Sequence, residues 1–218
     1  MVHQPRFGRS LVLPLLLLGG VALVFAGASA PVMAAPEPSP VPKRWEVEFQ
    51  PGPLRMAVVN VPDAGPRAFV YLTYKVTNNG AHDLLFAPTF ELACDDMGGT
   101  LRSGRDVPVA VTRAILERLS NPLLEDQISI VGTILRGPEN AKEGLAVWPL
   151  PQMRMAEMTV YAGGFSGETT TLELPGADGQ PEKKILRKTH MLRYRLPGEI
   201  DPGNGEEYLP FESRPIMR

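Results

Sequence analysis

The chain has 218 residues, 22 of them basic and 24 acidic, for a net charge of −2, and a single cysteine. That balance argues against nucleic acid as a partner, because such binding depends on an excess of Lys and Arg to neutralise phosphates. One cysteine rules out an intrachain disulfide framework, and a body of this length buries enough core to need none.

Arg6 and Arg9 precede an uncharged apolar run from Leu11 to Phe25, and the small residues of AGASAPVMAA follow. Basic, apolar, then small is the order of a secretory signal. Cleavage after Ala30 would put Pro31 just behind the cut, where a fixed φ and a missing N–H hinder a peptidase. Val32, Met33 and Ala34 fit better, so residues 1–34 are expected to be a signal peptide cleaved after Ala34. An uncleaved anchor is the rival, but Pro14, Gly19 and Gly20 interrupt the apolar run, so no stable membrane span is expected after cleavage. No cysteine follows that run to carry a lipid. The expected location is secreted or periplasmic, in the cell envelope. Without its signal the chain keeps 20 basic residues against 24 acidic ones.

Residues 35–43, APEPSPVPK, form a proline-rich spacer that stays extended. Alternation of apolar and polar residues then dominates, as in strands covered on one face. Trp45, Val47 and Phe49 of WEVEF share a face, and LRMAVVNV follows after Pro51, Gly52 and Pro53. The clearest strand is AFVYLTYKVTN, with Val70, Leu72, Tyr74 and Val76 opposite Tyr71, Thr73, Lys75 and Thr77. Asn78, Asn79 and Gly80 make a turn. DLLFAPTFELAC resumes the pattern with a break at Pro88.

One helix is expected over Val107–Leu119, where Val111, Ile115 and Leu119 recur at helical spacing and Asp106 can cap the first turn. QISIVGTIL fits a strand, with a helix as the alternative, and GPENAKEG is a polar loop leading to LAVWPL. AEMTVYA, ETTTLEL and KKILRKTHMLRYRL are further strands, separated by the loops GGFSG and PGADGQPE. Residues 198–218 read as an irregular tail, although Leu209, Phe211 and Ile216 would let it dock on an open sheet edge. The expected fold is all-β, a β-sandwich over residues 44–197 with one inserted helix.

The stretch VYLTYKVTNNGAHDLLFAPTFELACDDMG resembles secreted bacterial immunoglobulin-like sandwich domains, in which a strand ending K-V-T-N-N leads through a polar turn into a strand with an F-x-L core. NAKEGLAVWPLP and AEMTVYAGGFSGET are similar to a late strand of such domains and its approach. The resemblance covers roughly residues 54–165 and implies a binding or structural module with no catalytic residues to carry over.

A cysteine nucleophile needs a base and a group to orient it. Cys94 has only His82 and His190 as candidate bases in the mature chain, and it continues the apolar face of Phe90 and Leu92. A small buried hydrophobe is the expected role, with a Cys94 hydrolase as the alternative. GGFSGE lacks the G-x-S-x-G elbow, and no phosphate-binding glycine motif occurs. Asp95 with Asp96, and Asp201 with Glu206 and Glu207, lack calcium-loop spacing, and no zinc motif is present. No cofactor or metal is expected.

The remaining feature is a cluster of cations. Lys183, Lys184, Arg187, Lys188, Arg193 and Arg195 fall within thirteen residues that include no acid. On a strand, Arg187, Arg193 and Arg195 share a face with Thr189 and Met191, while Lys188 and His190 lie among the apolar residues of the other. Such a stripe suits an anionic polymer or an acidic envelope protein; the plain alternative is a solvated face that protects an edge. The expected function is a non-catalytic interaction or structural module of the envelope.

Overall fold

A computed structural model describes residues 36–95, 97–175 and 180–218; the expected signal peptide and its cleavage site lie outside them. The alternation in AFVYLTYKVTN becomes β2 (Gly65–Thr77), antiparallel to β1 (Glu48–Val61), with Leu54 opposite Leu72 and Met56 opposite Val70. The expected turn at Pro51–Pro53 is instead a bulge inside β1. The two prolines donate no ladder hydrogen bond, yet pairing resumes beyond them with the register shifted by one residue, which puts Leu54 and Met56 on the core face.

The chain continues as β3 (Leu84–Phe86), β4 (Thr89–Cys94) and β5 (Leu101–Arg102), with the expected break at Pro88, and then the helix α1 (Val109–Leu119). Next come β6 (Leu124–Glu125), β7 (Gly132–Ile134), a single 3-10 turn at Pro138–Asn140, β8 (Lys142–Pro149) and β9 (Arg154–Gly163). The last elements are β10 (Thr169–Pro175), β11 (Pro181–Glu199), β12 (Glu207–Tyr208) and β13 (Pro210–Met217). One sheet has the order β12-β1-β2-β8-β6, and the other β10-β11-β9-β4-β5 with β13 also on β11; β3 and β7 form a small ribbon.

The inward faces of the two main sheets share one core. Leu54, Leu72, Tyr74 and Trp148 come from the first, and Phe90, Leu92, Val160 and Tyr194 from the second. Phe165, in the loop after β9, sits at the hub of an aromatic cluster, with its ring centroid 4.3 Å from Phe49, 5.3 Å from Phe86 and 5.8 Å from Phe90. Helix α1 covers the other face of the first sheet, where Val111 and Ile115 pack with Ala57, Val59, Phe69, Tyr71 and Val147. Tyr71 therefore packs under the helix, and β2 is buried on both faces. Among the described residues no helix is long and apolar enough to cross a membrane.

Three expectations need correction. Asp106 does not cap α1: it takes a left-handed φ of 60°, and the helix starts behind Pro108 with no side-chain cap. QISIVGTIL is not one strand. The Asp126 carboxylate accepts hydrogen bonds from the N–H groups of Ile128 and Ser129 and so curls the first half into a turn, leaving only β7. The segment 198–218 is not irregular throughout. β13 pairs with β11 from Lys188↔Met217 to Tyr194↔Pro210, the edge docking that Leu209, Phe211 and Ile216 allowed.

One buried ion cluster ties the ends of the body together. The Lys188 side chain is only 6% exposed; its Nζ stands 2.9 Å from Glu46 Oε2 and 3.8 Å from Glu168 Oε2. The Ser39 N–H donates to Glu168 Oε1 at 2.8 Å, Val47 N–H to the Phe165 carbonyl, and Gly167 N–H to the Trp45 carbonyl. The spacer and Trp45–Val47 are thus strapped to the loop between β9 and β10. Removing the ammonium strands two carboxylates, at a cost of about 3–5 kcal/mol. Lys188→Ala is accordingly expected to lose about 3 kcal/mol or more in urea unfolding, far more than Lys184→Ala on the exposed neighbouring strand face.

Candidate anion-binding face

Five of the six cations of β11 are exposed or half-buried, and only Lys188, which reaches the core, is buried. Lys188 points inward to its two carboxylates. Arg193 lies between Glu157 and Glu212, its guanidinium nitrogens 2.6 and 2.8 Å from their oxygens. Arg193 and Arg195 also flank the Phe211 ring, with Cζ atoms 5.0 and 4.8 Å from its centroid. These two arginines therefore hold β13 in place. Lys183 meets Glu173 across the β10–β11 ladder at 3.4 Å, an exposed pair of small worth. Lys184 and Arg187 make no ion pair among the described residues.

Arg187 opens onto a cleft of about 400 Å³ on the outer face of the second sheet. Strand pairing assembles it: Thr89 stands opposite Gly163 and Glu91 opposite Tyr161 on β4 and β9, while Tyr161 stands opposite Met191 on β11. Arg187 and Thr189 enter from β11. Arg218 arrives through a backbone pair with Arg187, whose N–H donates to the Arg218 carbonyl at 2.7 Å. Its guanidinium lies over Tyr161, 4.1 Å from the ring centroid, and reaches Glu91 at 2.7 Å. Gly163 forms the floor, where a Cβ would stand 2.8 Å from the Thr89 hydroxyl; Gly164 beside it has a φ of +86°.

Two guanidiniums face one carboxylate here. Burial pushes the Glu91 carboxyl up, but hydrogen bonds from Arg218 and Thr100 and the charges of Arg218 and Arg102 outweigh it and hold the group below its ordinary range. Glu91 stays ionised and occupies Arg218, and the Thr189 hydroxyl donates to the Arg187 carbonyl at 3.1 Å, so the Arg187 guanidinium and the Thr89 hydroxyl remain for an incoming anion. Arg218 and Tyr161 are the part that sequence reasoning missed. A terminal arginine beyond a supposedly irregular tail carries no local signal until the tail is known to be a strand.

A larger hollow of about 470 Å³ lies between the strap and the turn after β2, lined by Pro42, Arg44, Trp45, Asn79 and His82 among others. None of the β11 cations reaches it. No protein-family model, curated protein or solved structure matches the chain.

Cys94 sits at the end of β4, opposite Met158 and half-buried against the core. Burial, with the nearby Asp95 charge adding to it, pushes its thiol up to about 11, the reverse of what nucleophilic attack needs. His190 pairs with Ala162, and Ala162 with Phe90, so His190 lies two strands across and four residues along from Cys94, roughly 16 Å away on standard strand spacings. The Asp95 carboxylate accepts the N–H groups of Ala156 and Glu157, and the Ser166 hydroxyl accepts that of Glu168. Among the described residues no group of His, Cys, Asp and Glu has the arrangement of a metal site.

Two outcomes follow. Cys94 is expected to react with iodoacetamide slowly in the native protein at neutral pH and quickly in denaturant, as followed by intact mass. His190 packs against Phe49 at 5.2 Å, and burial holds its imidazole below the ordinary value, with the Lys188 charge acting in the same direction and that of Glu46 opposing it. The fold favours the neutral ring, so its contribution is complete above about 6.5 and is lost as the pH falls through the depressed folded value. His190→Gln is therefore expected to lose less stability than the parent between about pH 7 and pH 5 in urea titrations.

Proposed function

We propose that the protein is an exported, immunoglobulin-like β-sandwich module that acts in the cell envelope by binding rather than by catalysis, holding an anionic polymer at the Arg187 cleft. The observation that carries this reading is the division of charge on β11. Lys188 and Arg193 are committed to carboxylates and Arg195 to Phe211, while Arg187, in no ion pair among the described residues, opens onto a cleft that also holds the Thr89 hydroxyl and a second guanidinium. Export is supported by the order of basic, apolar and small residues at the start of the chain. The immunoglobulin-like assignment is supported by antiparallel sheets packed over a shared core.

A polymer suits the site better than an isolated ion does. The cleft lies on an outer sheet face, and the exposed Lys183, on the same face of β11 as Arg187, extends the positive path beyond it, so a chain of repeated charges gains from several weak contacts. Such binding is electrostatic and weakens as salt screens it. The purified protein is expected to be retained on isolated envelope material at low salt and released at about 1 M salt, where the screening length falls to ~3 Å. Arg187→Glu with Lys183→Glu should abolish retention while leaving the urea midpoint almost unchanged. Retention by that variant equal to the parent's would refute the reading.

A further inference from the structure

The β10–β11 arm has one open edge, and its chemistry specifies what can fill it. Along β11 the backbone groups alternate between two sides. Lys188 N–H donates to the Glu168 carbonyl, toward β10, whereas Arg187 exchanges both of its backbone hydrogen bonds with Arg218, toward β13. Period-2 geometry then directs the N–H and C=O groups of Ile185 and Lys183 to the β13 side as well. β13 stops pairing at that point: among the described residues nothing is paired with this edge of β11 before Arg187. Ile185 is 63% exposed, an unusual apolar residue on an unpaired edge.

Self-association is the obvious hazard of such an edge, and the charge pattern opposes it in two of three registers. Two copies of the arm can pair antiparallel about a two-fold axis at Lys183, Lys184 or Ile185. The second register puts Lys184 against Lys184 and the third Lys183 against Arg187, like charges that destabilise a ladder. The first sets one Lys183–Lys183 clash beside two Lys184–Glu182 pairs. The same cations, projecting from both faces of the arm around Ile185, favour carboxylates on an incoming strand.

We propose that the edge of β11 at Lys183 and Ile185 accepts an extended acidic segment of a partner protein as an added strand. Main-chain hydrogen bonds to Lys183 and Ile185 supply the attachment, alternate carboxylates on one face of the added strand meet Lys183 and Arg187, and its β-branched residues take the other face. The inference stands on the backbone of the arm and does not require that the cleft bind a polymer.

The test uses two synthetic seven-residue peptides in which Val and Thr alternate with Glu in one and with Lys in the other. Binding to the purified protein is read by fluorescence anisotropy, and amide exchange by NMR. The Glu peptide is expected to bind at least about tenfold more tightly than the Lys peptide, as a few cross-strand charge pairs allow, and to slow exchange at Lys183 and Ile185. Ile185→Pro removes a donor that faces away from β10, so it should abolish binding and leave the β10–β11 ladder intact. Lys183→Glu with Lys184→Glu leaves the backbone untouched and should reverse the preference, which keeps the test decisive if the proline variant unfolds. The proposal is overturned if the Glu peptide fails to bind, if both peptides bind equally, if a folded Ile185→Pro variant still binds, or if the protein dimerises through this edge without peptide.

Discussion

The parity of β11 at Lys188 is the constraint on which the rest depends. A strand that crosses a closed core must send alternate side chains inward, and one of those on β11 is a lysine. A buried ammonium is tolerated only with carboxylates beside it, and here they come from distant parts of the chain, Glu46 ahead of β1 and Glu168 behind β9. Satisfying that charge fixes the extended spacer against the body, sets the backbone bridge between Glu46 and Ser166, and positions the loop that carries Phe165 into the core. A slip of one residue would take Lys188 away from its two carboxylates and expose Leu192 and Tyr194, so register and charge pairing enforce each other.

The same alternation produces the outer face. With Lys188 turned in, Arg187, Arg193 and Arg195 turn out. Two of them are taken up by β13, through Glu212 and the face of Phe211. This leaves Arg187 where β10, β11 and the end of β13 meet. Structure and available charge are therefore separated along a single strand, residue by residue. The docked tail contributes as well, since Arg218 covers Tyr161 and neutralises Glu91, the carboxylate that would otherwise meet Arg187.

The sequence made the strands legible wherever one face met the core, because a period of two leaves a direct trace. β2, β4, β9 and the whole length of β11 follow the alternation closely, and helix α1 follows its 3.6-residue spacing. Legibility ended where local chemistry overrode the pattern. QISIVGTIL looks like a strand in composition, but the Asp126 side chain offers the backbone a competing turn. Pro51–Pro53 look like a turn, but a bulge lets β1 continue. β13 was hidden because PFESRPIM carries two prolines, two charged residues and little alternation; it exists as an edge strand held by Arg193, Arg195 and the ladder of its neighbour. The cations of β11 were all visible in the sequence, as was the parity that sets Lys188 apart. Which of the outward ones remain free depends on acids 30 or more residues away, or on that tail, and no local pattern encodes such pairing.

The central claim is that Lys188 alone among the cations of β11 is buried against carboxylates while those of the arm stay in solvent, and graded acylation of the native protein tests it directly. With a water-soluble acetylating reagent and peptide mass spectrometry, Lys184 should be modified at the rate of a free surface lysine. Lys188 should stay unmodified until the protein is unfolded in urea. Equal native rates at Lys184 and Lys188 would contradict the account, because they would place the Lys188 ammonium in solvent and remove the pairing that fixes the register of β11.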